Sequence, residues 1–130
     1  MSLSAVRTAV VLMAILLVAR EWTQDFEWDV HAPLAAAEGL DRDIIDAIAQ
    51  GRRPAFAGGD EALVHDLFFE LSRTRTLSDA TYARAIEALG EQGVIDLVAL
   101  IGYYATLAMI MNVARTPLPD GRERSLRSLP

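Results

Sequence analysis

Apolar positions along this chain recur with the spacing of helices, and no run alternates as a strand does. Ala9 to Ala19 (AVVLMAILLVA) is apolar nearly all round, predicting a first helix from a Ser4 cap to about Glu21, buried on most faces. Thr23 stands where a cap would open a second helix carrying Phe26, Glu27, Val30, His31 and Leu34. Gly39 is placed to end that helix in the left-handed conformation. Pro33 lies inside it and, lacking an N–H, frees the Asp29 carbonyl, which predicts a kink just past His31. Asp41 caps a short third helix with Ile44, Ile45 and Ile48 on one side, ended by Gly51. Asp60 opens a fourth, with Leu63, Leu67, Phe68 and Leu71 as its stripe. Ser78 caps a fifth that Gly90 closes. Glu91 to Arg115 is the sixth and longest, stopped by Pro117 and Pro119. The expectation is an all-α fold of about six helices in one domain over residues 1–119. A polar, arginine-rich and mobile tail follows at 120–130.

Two of these runs resemble membrane elements. Ala9–Ala19 is too short to span a bilayer, and Leu97–Val113 falls slightly short of the roughly 20 apolar residues required. Glu91 and Asp96 cut off the N-terminal side of the second run, so both are expected to be buried core helices. A cytoplasmic chain without a membrane partner is the corresponding expectation. Hydrophobic residues make up 52% of the sequence, which argues for burial against copies of itself, a homo-oligomer. Ala99, Gly102 and Thr106 form a row of small residues on the sixth helix, suited to intrachain packing or to a subunit interface.

Charge and residue counts exclude several chemistries. A net charge of -6 argues against nucleic acid, whose phosphates need a basic face. With no cysteine, this chain carries no disulfide, thiolate metal site or thiol redox cycle. Two histidines and no HExxH spacing leave no metal expected, and no glycine-rich loop supports a nucleotide; no cofactor is expected. Glu27 and His31, four residues apart, share a helix face, and a carboxylate that orients an imidazole is a minimal acid/base device. Trp22, Phe26 and Trp28 flank the pair. His65, beside Asp66 and near Glu61, reads as a solvated surface position. The Arg52-Arg53 pair reads as a solvated loop or, with its glycine-rich neighbour, an anion clamp.

Several stretches resemble the carboxymuconolactone decarboxylase family. They include Val18-Ala19-Arg20-Glu21-Trp22, Glu27-Trp28 with His31-Ala32-Pro33-Leu34-Ala35, Gly51-Arg52 with Pro54, and Ser78-Asp79-Ala80-Thr81-Tyr82. The run Gly90-Glu91-Gln92-Gly93-Val94, Asp96-Leu97, Ile101-Gly102-Tyr103-Tyr104 is the most specific. The resemblance implies an alkylhydroperoxidase D-like helical fold assembling as trimers or hexamers. It also implies one of two chemistries: cofactor-free decarboxylation of a lactone in aromatic-compound breakdown, or thiol peroxidase (peroxiredoxin-type) turnover. In the family's register Gln24 and Glu27 fall on the two peroxidatic cysteine positions, His31 on the relay histidine and Leu12 on the relay glutamate. The peroxidase chemistry is therefore not expected here.

The expected activity is a cofactor-free acid/base reaction, decarboxylase-like, on a small carboxylated or lactone-like molecule. His31 would be proton donor or acceptor and Glu27 its orienter. Arg20 or Arg52 would anchor a carboxylate, with Trp22, Gln24, Trp28, Tyr103 and Tyr104 around the substrate. The alternative is a catalytically silent oligomer of the same fold that binds a small molecule or a protein.

Overall fold

A computed structural model describes residues 7–56 and 59–129. It is all-helical among these residues, with α1 (Thr8–Glu21), α2 (Asp25–Ala37), α3 (Arg42–Ala49), α4 (Gly59–Thr74) and α5 (Asp79–Ala114), then a 3-10 turn (Pro119–Gly121). The proposed Ser4 cap lies outside the described residues. α1 is the axis of the fold, with α2, α3, α4 and α5 all packed on it. That position follows from its sequence: with no charged residue between Thr8 and Arg20, it has no polar face to give to water. Val10, Met13, Leu16, Val18 and Ala19 are each at most 1% exposed.

The α1–α2 corner is built differently from expectation. Gln24, not Thr23, caps α2: its Oε1 accepts from Phe26 N–H at 2.7 Å and Glu27 N–H at 3.1 Å. Thr23 has a positive φ of 45° and accepts from Arg20 Nη2 at 2.8 Å, so its hydroxyl is turned back onto α1. Gln24 is held for its task from the other side, where its Nε2 donates to Asn112 Oδ1 at 2.9 Å. α2 runs unbroken through Pro33, which is exposed, so water can reach the carbonyl it leaves without an N–H partner.

Other boundaries follow the sequence closely. Asp41 accepts from Asp43 N–H at 2.8 Å to start α3, whose Ile44, Ile45 and Ile48 are buried as the stripe predicts. Ser78 accepts from Thr81 N–H to start α5, and Glu70 on α4 accepts from both Ser78 N–H and the Thr81 hydroxyl. The fifth and sixth expected helices abut without a loop. They meet at Gly90, whose φ of 73° and ψ of 170° break the helical path inside α5.

Two expectations fail. The Leu97–Val113 run is not a buried core helix. Its inner side packs through Leu97, Ile101 and Ala108, whereas Tyr103 (60%), Ile110 (58%) and Val113 (85%) are exposed on the outer side. An 18-residue window of α5 has mean hydropathy 2.0 with 22% of it buried, so by length and composition alone it could cross a membrane. The reason is geometric: a helix packed on the rim of a bundle buries one stripe, and this sequence is apolar on both sides. The tail is also docked. Arg124 pairs with Asp25 at 2.8 Å, Asp25 accepts from Leu126 N–H, Ser125 donates to Asp29, and Leu126 is 1% exposed.

Candidate functional site

α2 and α5 run antiparallel and are bridged by side chains at two levels. Gln24 meets Asn112 at one end, and at the other the His31 ring lies edge-on to Tyr104, centroids 5.3 Å apart. Glu27 lies one helical turn from each of Gln24 and His31, and Ala108, fully buried, is midway between Asn112 and Tyr104.

Glu27 is 2% exposed, and neither carboxylate oxygen has a hydrogen-bond partner among the described residues. Burial pushes its carboxyl up to about 7, because the charged form loses its water and gains no donor. The Tyr104 hydroxyl is held above its ordinary value by burial, then by Tyr103 and by the nearby Glu27 charge. His31 does not bond to the Glu27 side chain. Its Nδ1–H donates to the Glu27 backbone carbonyl at 2.8 Å, which leaves Nε2 as the free nitrogen. The expected carboxylate–imidazole couple is thus absent, for a physical reason. An i−4 carbonyl lies within reach of a helical histidine whatever residue supplies it, and it competes with the side chain.

The remaining predicted site residues are dispersed. Trp28 lines a separate groove of about 560 Å³ with Ile45, Arg42 and Arg122, which neither Glu27 nor His31 borders. Gln24 borders a hollow of about 470 Å³ beside Asn112 and Arg115. Tyr103 and Trp22 are exposed on the surface, and Trp22 contributes its carbonyl as acceptor for Asn112 Nδ2 at 2.8 Å. Arg20 and Arg52 face the α3–α4 side and border a narrow space with His65 and Phe69.

His65 is not a solvated surface residue. It is 5% exposed, stacked on Phe69 at 4.5 Å and tilted against Phe56 at 5.2 Å. Arg53 Nη1 donates to Asp66 Oδ1 at 2.6 Å and approaches His65 Nδ1 at 3.1 Å. The same Nδ1 lies 3.4 Å from Asp66 Oδ1, so it accepts from Arg53 when bare and donates to Asp66 when protonated. Burial holds His65 below its ordinary pKa, against the opposing hydrogen bond that its imidazolium donates to Asp66 and with help from the Arg53 charge. The aromatic partner at i+4, Phe69, was the available signal for burial, and the adjacent acidic residues masked it. Asn112 carried no comparable signal, since its partners Gln24 and Trp22 are far away in sequence.

No group of three or more histidine, aspartate or glutamate side chains is arranged to hold a metal among the described residues. No family model, curated protein or solved structure matches the chain.

Proposed function

We propose that this chain is a cofactor-free acid/base enzyme acting on a small carboxylated or lactone-like molecule, of the type its resemblance to carboxymuconolactone decarboxylases implies. The observation that carries the reading is the Glu27 carboxyl. Buried, unpartnered and titrating at about 7, it is poised to give and take a proton at neutral pH, where an ordinary glutamate is fully ionised. Decarboxylation or lactone isomerisation needs a proton delivered to an enolate-like centre, and a neutral carboxyl supplies one without a metal. In this reading Glu27 is the proton-transferring group rather than the orienter of His31. The half-buried His31, one turn along the helix, keeps Nε2 free, and its ring lies edge-on to Tyr104.

The reading includes assembly. The outer face of α5 carries no charge from Leu97 to Ala114, and its Ala99, Gly102 and Thr106 row is open, with nothing within 4 Å of a Cβ built on Gly102. A second copy in the cytoplasm is the proposed cover, in a trimer or hexamer, since such a row lets another helix approach closely. Sedimentation in detergent-free buffer tests this. Oligomers that Gly102→Leu weakens support it, and a monomer that partitions into lipid vesicles contradicts it.

One observation favours the catalytically silent alternative: neither Glu27 nor His31 borders any of the cavities described above. The deciding experiment is product analysis on a panel of carboxylated lactones, with metal chelator present. Turnover that Glu27→Gln lowers by about 10² or more supports the enzyme. Ligand binding without turnover supports the silent reading.

A further inference from the structure

Arg20 is a buried charge with an incomplete set of partners. It is 6% exposed, and its Nη groups donate to the Ala49 carbonyl at 2.9 Å, the Thr23 hydroxyl at 2.8 Å and the Arg127 carbonyl at 2.7 Å. These acceptors are neutral. Among the described residues no carboxylate lies within 4.0 Å of Arg20, and its Nε–H has no acceptor. The nearest opposing charge that acts on it, Asp25, is already engaged by Arg124 and Leu126 N–H. A carboxyl in such a position escapes by taking up a proton. A guanidinium has no such escape at any physiological pH, so its charge persists and attracts an anion.

Beside it is a cavity of about 270 Å³ that Arg20 borders together with Thr23, Phe69, Arg73 and Ser128. Arg73 lies over the Phe69 ring at 4.2 Å, which fixes a second guanidinium at the rim without a carboxylate partner among the described residues. Glu21 is the one acidic side chain on the wall, so the cavity carries a net positive charge in a chain whose total is -6. Phe69 and Leu129 give it an apolar side.

We propose that this cavity is a binding site for a compact carboxylate with an aromatic or apolar body. The carboxylate lies between Arg20 and Arg73, with the hydroxyls of Thr23 and Ser128 in reach, and the body rests against Leu129 and the edge of Phe69, whose two faces His65 and Arg73 already cover. The planar guanidinium of Arg73 matches a carboxylate's two oxygens. The persistent charge of Arg20 lies behind it, with its Nη2 already committed to Thr23 and Arg127. The apolar side selects this class over a bare inorganic anion. The site shares no residue with the Glu27–His31 seam and stands whether or not that seam is catalytic.

The test is calorimetric titration of the full chain with benzoate at neutral pH and low salt, beside benzamide and inorganic phosphate. Saturable one-to-one binding of benzoate, with benzamide at least tenfold weaker, is expected. Arg73→Gln should weaken benzoate about tenfold or more, and Phe69→Leu should weaken it by less. Arg115→Gln, at the far end of α5, should leave it unchanged. Thermal melts keep the reading clean: Arg73 is exposed, so its variant should unfold like the wild type. Absence of saturable benzoate binding, equal binding of benzamide, or an unmoved Arg73→Gln variant would each overturn the site. Phosphate bound as tightly as benzoate would overturn the carboxylate assignment.

Discussion

Glu27 and Arg20 stand on either side of the α1–α2 corner, each almost wholly buried and neither in an ion pair among the described residues. The fold treats them in opposite ways. Around Arg20 it gathers two backbone carbonyls and a hydroxyl, because a guanidinium keeps its charge and must be hydrogen-bonded. Around Glu27 it supplies no donor at all, and the carboxyl answers by holding its proton up to about pH 7. One region is therefore a fixed charge that invites an anion, and the other is a neutral acid whose state changes with pH. Desolvation is common to both; the difference lies in whether the side chain can discharge itself.

pH should separate the two regions most strongly. The folded pKa of Glu27 is raised above its unfolded value, so its contribution is fully present below about pH 4.5 and is lost as pH rises through about 7. Urea unfolding of the wild type should show stability falling across that window, by on the order of 3 kcal/mol, then levelling. Glu27→Gln should remove most of this slope, and a slope left intact would break the comparison.

Arg20→Met should cost about 2 kcal/mol, since it strands the Ala49 and Arg127 carbonyls while relieving a buried charge. That cost should be the same at pH 5 and pH 9, because the guanidinium does not titrate there. Ser78→Ala, remote from both regions, should lose about 1 kcal/mol through its helix cap, also without pH dependence.

Asp66 gives the smallest effect and the opposite sign. Burial raises its pKa, but hydrogen bonds from Arg53, Arg84 and His65 outweigh that and hold it below 3.8. Its stabilisation is present above the unfolded value and is lost as pH falls through the folded one. Both arginines are largely exposed, so Asp66→Asn should cost under about 1 kcal/mol near neutrality and nothing at strongly acid pH, read from urea midpoints.

The comparison also marks what was legible in the sequence. Helix positions were written in local patterns: the isoleucines of α3, the Ser78 and Asp41 caps, and the glycine at 90 each act over a few residues. Gln24 was missed as a cap because its orientation depends on Asn112, 88 residues away. Glu27 and His31 were found as a pair by spacing, yet spacing cannot tell a side-chain bond from one to the backbone carbonyl four residues back. His65 was misplaced because adjacent acidic residues look like a solvated face, whereas Phe56 and Phe69 close over it. Arg20 or Arg52 is expected from the sequence to anchor a substrate carboxylate beside His31. They do come together, but on the α3–α4 side, where the direction of a side chain at the end of α1 decides the matter.

The central claim is that Glu27 is a neutral acid near physiological pH, and its own titration tests that most directly. Chain labelled with carbon-13 at the glutamate carboxyls, with Glu27→Gln to assign the resonance, can be followed by NMR from pH 3 to pH 10. The account predicts a midpoint for Glu27 at about 7. A midpoint at or below 4.5 would show that the buried carboxylate has found a donor, and the acid/base reading of the α2–α5 seam would be contradicted.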